Sequence, residues 1–196
     1  MIVVYLCAAA YAVLITSDFL ALYQKNTLSL ILFIDGIILL TFCTFFAVWK
    51  SDVVSVFKQK PIYCIVMAIL AVFFLFLFFY SLFFVLPVKE TYVGSNDLKL
   101  VDTGMYALCR HPGVIWLTLF FLFAWLSVND RMMLWLGLAS TGLDIIYVIV
   151  QDIFIFPKTI EGYDEYKKYT PFLIPNAKSI KRAIETREKA REKVTQ

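Results

Sequence analysis

Long uninterrupted apolar runs constrain the fold of this chain more than any other feature of its sequence. The 27 residues from Pro61 to Pro87, for example, include no charged side chain. A helix needs roughly 20 apolar residues to cross a hydrocarbon core about 30 Å thick. The chain is 61% hydrophobic with a mean hydropathy of +0.79, which a water-soluble domain of 196 residues rarely needs. The sequence therefore predicts an all-α, multi-pass integral membrane protein.

Five apolar runs are candidates for transmembrane helices. They cover about Ile2–Tyr23, Leu28–Trp49, Pro61–Pro87, Pro112–Val128 and Met132–Phe156. The segment Asn129–Arg131 between the last two is long enough only for a tight helical hairpin. We therefore divide the chain into an N-terminal three-helix part (1–87), a core of connector, hairpin and C-terminal segment (88–176), and a charged helical tail (177–196).

Basic residues are concentrated toward the C-terminus, where ten of the eighteen Lys and Arg fall between Lys158 and Lys193. The positive-inside rule then predicts a cytosolic C-terminus, and five spans would place the N-terminus outside. The three lysines between Lys50 and Lys60 would be external, against the trend. No Lys or Arg precedes Lys25, so the first run is expected to be a retained span and not a signal peptide.

Aspartates lie in or at the edge of apolar runs, where lipid offers polar groups no partner. They are Asp18, Asp35, Asp144 and Asp152. Asp18 and Asp35 are each isolated on their own helix. For these two we expect a mutual hydrogen bond between the first two spans.

A polar stripe follows one face of the fifth span at spacings of three and four residues. Its members are Ser140, Thr141, Asp144, Tyr147 and Gln151, with Asp152 beside them. Such a stripe, reaching the cytosolic boundary, could line a cleft for a substrate or a cofactor. The alternative is that these groups bond to neighbouring helices and hold the bundle together.

The run Leu100–Val114, LVDTGMYALCRHPGV, carries the strongest local signal of a site. Arg110 and His111, the only histidine, precede Pro112, which suits the first turn of a helix. A guanidinium, an imidazole and the N–H groups of a helix N-terminus together favour an anionic group such as a carboxylate. The alternative is that these side chains merely anchor the helix among lipid headgroups.

Several short motifs follow one another in order between residues 98 and 176. They are Gly104-Met105-Tyr106, Arg110-His111-Pro112, the hairpin at Asn129–Arg131, the stretch Gly162–Tyr169 and Leu173-Ile174-Pro175. In this series the chain resembles the membrane methyltransferases that include isoprenylcysteine carboxyl methyltransferases and phospholipid methyltransferases. The resemblance covers roughly two-fifths of the chain.

The resemblance implies a helical enzyme that binds S-adenosylmethionine from the cytosol and takes a lipid-like acceptor laterally from the bilayer. It would have a cofactor pocket formed by the last two helices and the C-terminal segment. The positions that match the cofactor site are Gly104, Tyr106, Arg110, His111, Gln151, Asp152, Tyr166 and Tyr169, the last two in the segment that covers the cofactor. His111 and Asp152 are candidate catalytic bases for an acceptor that must lose a proton.

Three departures from the family pattern bear on the cofactor and the acceptor. Gln151-Asp152 stands where the family often has two adjacent glutamates, and Val114 stands where an aromatic residue is common. The arginine that could meet a carboxylate substrate is absent from Tyr169–Pro175. A prenylcysteine carboxylate is therefore not the expected acceptor.

Two other classes of function remain open on the sequence. Sterol-type membrane reductases have a related fold and bind NADPH in a similar cytosolic region, whereas a non-catalytic adaptor or small transporter would bind neither cofactor. The four cysteines are scattered without a paired motif, and the sequence has no dinucleotide, phosphate-loop or nucleic-acid signature. We therefore expect membrane lipids as surroundings, with no metal and no nucleic acid as partners.

Overall fold

The computed structural model describes residues 2–24, 27–83 and 100–194, and its regular elements in these ranges are helices. Four helical stretches are long and apolar enough to cross a membrane: Ile2–Tyr23, Thr27–Lys50, Pro61–Leu82 and Arg131–Thr159. The apolar helix Pro112–Val128 is shorter, at 17 residues. The predicted all-α, multi-pass membrane class is confirmed. The predicted end of the third span near Pro87 lies outside the described residues.

The helices follow the apolar runs closely, with additional short elements in the polar segments. In chain order they are α1 (Ile2–Gln24), α2 (Thr27–Lys50), α3 (Val53–Gln59), α4 (Pro61–Phe83), α5 (Met105–Leu108), α6 (Pro112–Val128), α7 (Arg131–Val150), a π-helical turn (Gln151–Ile155), α8 (Phe156–Thr159), α9 (Tyr163–Tyr169) and α10 (Ala177–Val194). The sequence did not predict α3, which begins after Asp52. The carboxylate of Asp52 accepts the N–H of Ser55 at 3.4 Å as an N-cap.

The predicted hairpin between the last two long helices is present. Helix α6 ends at Val128, and Asn129 adopts the left-handed conformation with φ 53°. Asn is one of the few residues that takes this conformation readily. Asp130 then caps α7, because its Oδ1 accepts the N–H of Met132 at 2.7 Å.

Side-chain contacts fix the relative directions of the long helices. Cys7 Sγ lies 3.1 Å from Ser140 Oγ, and Gln151 Nε2 lies 2.8 Å from Asp18 Oδ2, so α1 and α7 run parallel. Ser127 Oγ donates to the carbonyl of Cys64 at 3.3 Å, so α4 and α6 run antiparallel. We call the end where α6 begins and α7 ends the Asp152 end. The opposite end, which carries α3 and the α6–α7 turn, is the hairpin end.

Helix α2 packs closely on α1 through small residues. Ser29, Gly36 and Cys43 are buried at intervals of seven residues. A Cβ atom added to Gly36 would stand 2.7 Å from the side chain of Leu14, so glycine permits the close approach.

The predicted hydrogen bond between Asp18 and Asp35 is wrong. The carboxylate of Asp18 accepts from Gln151, which directly follows α7, whereas the side chain of Asp35 is exposed on α2. The reason is helical geometry: Gly36 faces α1, and its neighbour in sequence is turned by about 100° away from that contact.

Candidate functional site

The carboxylate of Asp152 is the centre of a buried polar cluster. Arg110 binds it with two nitrogens, Nε to Oδ1 at 2.8 Å and Nη2 to Oδ2 at 3.2 Å. Oδ1 also lies 3.2 Å from His111 Nε2 and accepts the hydroxyl of Tyr163 at 2.6 Å. The Asp152 side chain is only 8% exposed. This many donors compensate the charge of the buried carboxylate. The two-point contact between Arg110 and Asp152 also fixes the plane of the guanidinium.

The π-helical turn shapes the part of the backbone that presents Asp152. In a π-helix the N–H of residue i+5 bonds to the carbonyl of residue i. The residue five positions after Asp152 is Pro157, which has no N–H. Lys167 Nζ instead donates to the Asp152 carbonyl at 3.0 Å, and it lies 3.5 Å from Asp152 Oδ2. The lysine thereby brings a second cation beside Arg110.

The segment that follows α9 runs alongside Arg110 and His111. The backbone N–H of Arg110 donates to the carbonyl of Pro171 at 2.9 Å, and that of His111 donates to the carbonyl of Phe172 at 3.3 Å. Arg110 Nη1 also donates to the carbonyl of Thr170 at 2.7 Å. The guanidinium therefore joins the C-terminal end of α7 to the segment that follows α9.

Tyr106 and Tyr166 connect the cluster to α4. The hydroxyl of Tyr166 donates to the carbonyl of Tyr106 at 2.6 Å, and the hydroxyl of Tyr106 donates to the carbonyl of Ser81 at 3.1 Å. Gly104, just before α5, has φ 60° and ψ −124°, a conformation that suits glycine. Among the described residues, no atom would lie within 4 Å of a Cβ atom added there.

Tyr169 lies at the edge of the cluster and contacts the tail helix. Its hydroxyl lies 3.4 Å from Asp102 Oδ2, which also pairs with Arg182 of α10. The guanidinium of Arg182 lies over the Tyr169 ring, 3.9 Å from its centroid. The tail is thus attached to the same end of the bundle as the cluster.

Burial sets the protonation of the cluster's titratable groups outside the spans. It lowers the pKa of His111, although the hydrogen bond to Asp152 acts in the opposite direction. The ionised carboxylate of Asp152 can only accept, so His111 Nε2 is the donor. In this tautomer Nδ1 keeps a lone pair that no described residue engages. Burial, followed by the bond to Asp152, raises the pKa of Tyr163, which is therefore a neutral hydroxyl donor.

The polar stripe of α7 faces α1. Ser140 contacts Cys7, the ring of Tyr147 packs edge-on against Tyr11, and Gln151 donates to Asp18. These contacts favour the interpretation of the stripe as helix–helix packing. The Gln151 amide therefore bonds to α1 and does not join the cluster around its neighbour Asp152.

The structure brings together most of the residues that the sequence singled out. Arg110, His111 and Asp152 are in direct contact, Tyr106 and Tyr166 adjoin them, and Gly104 and Tyr169 lie at the periphery. Sequence reasoning missed Tyr163 and Lys167. They are one helical turn apart on α9, a spacing that could have indicated a shared face.

Comparisons with protein-family models, curated proteins and solved structures found no match for this chain. Within the described ranges, no group of three or more His, Cys, Asp or Glu side chains is arranged to hold a metal ion. The methyltransferase resemblance accordingly stays a prediction.

Proposed function

We propose that this protein transfers a methyl group from S-adenosylmethionine to a lipid-like or small hydrophobic acceptor at the membrane. The observation that supports the proposal is the convergence of Arg110, His111 and Asp152 at one end of the bundle. Asp152 is 42 positions from Arg110 and 41 from His111 in sequence, yet its carboxylate lies within 3.2 Å of both side chains. They are also the ionisable positions that match the cofactor site of the family the chain resembles, apart from its tyrosines.

The residue types in the cluster fit an amino acid group that carries both charges. Arg110 and Lys167 provide two cations for a carboxylate, and Asp152 provides an anion for an ammonium group. The rings of Phe156, Phe172 and Tyr163 surround the imidazole and its neighbours and offer aromatic faces. No described side chain crowds Gly104, and the absence of a Cβ atom there lets a ligand approach the backbone.

When bound, S-adenosylmethionine supplies a methyl group on a sulfonium that is already a good leaving group. The acceptor atom forms a bond to the methyl carbon as the carbon–sulfur bond breaks. The protein's task is mainly to align the two partners and to exclude water. For an amine or thiol acceptor, the free Nδ1 of the neutral His111 could receive the displaced proton, and an anionic acceptor would need no base.

The acceptor is expected to be lipid-like, because the protein lies in the membrane and would receive it laterally. The segment from Tyr169 to Pro175 has no arginine to pair with a substrate carboxylate. We therefore favour acceptors other than a prenylcysteine carboxylate.

The direct test is ligand-induced thermal stabilisation of the detergent-purified protein by S-adenosylhomocysteine and, in parallel, by NADPH. A ligand that binds only the folded state stabilises it in proportion to the logarithm of its concentration over Kd. We expect stabilisation by S-adenosylhomocysteine alone. Stabilisation by NADPH alone would instead favour a reductase, and no response to either would favour an adaptor or transporter.

Two neighbouring lysines on α9 provide a matched pair of variants. Lys167 is 29% exposed and contacts Asp152, whereas Lys168 is 67% exposed and pairs with Glu165 at the surface. Lys167→Met should weaken S-adenosylhomocysteine binding about tenfold, since a charge-assisted hydrogen bond contributes roughly 1.5 kcal/mol. Lys168→Met should leave the affinity unchanged. Equal affinities for both variants and the wild type would remove Lys167 and its surroundings from the site.

A further inference from the structure

The tail helix α10 turns a mainly polar face toward the rest of the protein. Ser179 is 1% exposed, and Arg182, three residues further on, pairs with Asp102. The guanidinium of Arg182 also lies over the ring of Tyr169. An amphipathic helix that packs on a protein normally turns its apolar stripe inward. In α10 the inward contacts are made by a serine and an arginine, so they do not account for its isoleucines.

Ile180 and Ile184 lie on the outer side of α10, one helical turn apart. Each directly follows a more buried residue, Ser179 or Ala183, and successive residues of a helix are rotated by about 100°. Ile180 is 46% exposed and Ile184 is 55% exposed. Unlike the exposed apolar residues of α2 and α4, these two lie outside the candidate membrane spans, so the hydrocarbon around a span does not explain their exposure.

Helix α10 is held at the level where the spans end. It packs against α5. The hydroxyl of Tyr106 on α5 donates to the carbonyl of Ser81, which lies in the last turn of α4. The headgroup layer on each side of a bilayer is about 5–8 Å thick, and a helix with its side chains is about 10 Å across. The lipid headgroups are therefore within reach of α10.

The charge of α10 is strongly basic. Between Ala177 and Val194 the sequence has seven Lys and Arg against three Glu. Among the described side chains, Lys178 and Lys181 are exposed, the latter to 81%. A basic amphipathic helix with a few apolar side chains on one side is typical of helices that lie in the plane of a membrane surface. Each Lys or Arg near an anionic surface adds to the attraction.

We propose that α10 lies along the bilayer surface at the Asp152 end and docks on anionic lipid headgroups through the side that carries Ile180 and Ile184. The isoleucines insert among the headgroups, while Lys178 and Lys181 approach the negative charges of the lipids. The pairing of Arg182 with Asp102 holds the other side of the helix on the protein. Because α10 is already attached to the bundle, its docking is intramolecular and needs only a weak surface contact.

Fluorescent labels on the full chain in lipid vesicles test the docked side. Ile184→Cys and Glu185→Cys replace neighbouring residues that are both about half exposed, the first on the proposed lipid side and the second turned away from it. The four natural cysteines are buried, so the wild type serves as the unlabelled blank. In vesicles that contain phosphatidylserine, nitroxide headgroups should quench a label at position 184 several-fold more than one at position 185. Equal quenching would overturn the proposed side.

Removal of charge tests the class of lipid, with quenching measured against the phosphatidylserine content. Lys178→Gln combined with Lys181→Gln in the Ile184→Cys background should weaken docking about 25-fold, since each lysine near an anionic surface contributes about fivefold. Lys58→Gln combined with Lys60→Gln is the control, because it removes the same charge at the hairpin end and should leave quenching unchanged. All four lysines are exposed, so neither pair of changes should unfold the protein.

The remaining outcomes are equally decisive. The same quenching in vesicles of phosphatidylcholine alone would overturn the assignment to anionic lipid. A label at position 184 that stays in water in every vesicle, yet is shielded in cell membranes, would indicate a protein partner and would also overturn the proposal. None of these readouts involves a cofactor, so they stand apart from the proposed methyl transfer.

Discussion

Asp152 makes more polar contacts than any neighbouring side chain in the cluster, and its charge is compensated chiefly by Arg110. The two side chains are only 8% and 10% exposed. Asp152→Asn should therefore lower the free energy of unfolding by about 3–5 kcal/mol, since it leaves a buried guanidinium without its counter-ion. Thermal unfolding in detergent would measure the loss.

The control at the residue scale is Glu165→Gln, which removes a carboxylate paired with Lys168 at the surface. An exposed pair contributes under about 1 kcal/mol, so this variant should unfold like the wild type. Similar stability losses in both variants would mean that Asp152 does not carry a buried ion pair.

Single residues also mark the limit of what the sequence could predict. Arg110, His111 and Asp152 were identifiable because their residue types stand out at helix ends in an apolar chain. The contact of Lys167 with Asp152 could not be predicted, because this contact depends on the π-helical turn and on the missing N–H of Pro157. A run of apolar residues is compatible with both an α-helical and a π-helical turn, so the sequence pattern cannot distinguish the two.

At the scale of helices, Gly36 controls how closely α2 approaches α1. Its substitution by alanine would place a Cβ atom 2.7 Å from the Leu14 side chain and 3.3 Å from the carbonyl oxygen of Ala10. Gly36→Ala should lower the free energy of unfolding by about 1–3 kcal/mol through overpacking. Gly142→Ala on α7 is the matched control, because a Cβ atom there has no described atom within 4 Å.

Denaturation of both glycine variants in the same detergent would compare them. Gly142→Ala should be neutral or slightly stabilising, since alanine is the better helix former. An unchanged free energy of unfolding in Gly36→Ala would show that α1 and α2 can move apart without loss of stability.

Helix positions followed from the sequence better than helix faces did. Long apolar runs define a span because the membrane sets its length. The partner of Asp18 was predicted wrongly because a lone polar residue does not say which neighbour its side of the helix meets. The polar stripe on the fifth span could identify the partner of Asp18 only if α1 was known to lie against that stripe. The structure shows this packing through the hydrogen bond from Gln151 to Asp18.

For the whole molecule, the arrangement of the helices separates the basic residues between the two ends. At the hairpin end are Lys50, Lys58, Lys60 and Arg131, and at the Asp152 end the described side chains are Arg110, Lys158, Lys167, Lys168, Lys178, Lys181 and Arg182. The greater number at the Asp152 end favours that end as cytosolic. A cytosolic Asp152 end would also give the cluster access to a soluble cofactor.

Labelling of single cysteines in cells tests this orientation. Gln59→Cys on α3 and Glu161→Cys before α9 replace exposed residues at opposite ends, and neither changes the number of Lys and Arg. A membrane-impermeant maleimide should label Gln59→Cys in intact cells and Glu161→Cys only after permeabilisation. The wild type should stay unlabelled, because its cysteines are buried. The reverse pattern would place the Asp152 cluster outside the cell, where a cytosolic methyl donor could not reach it.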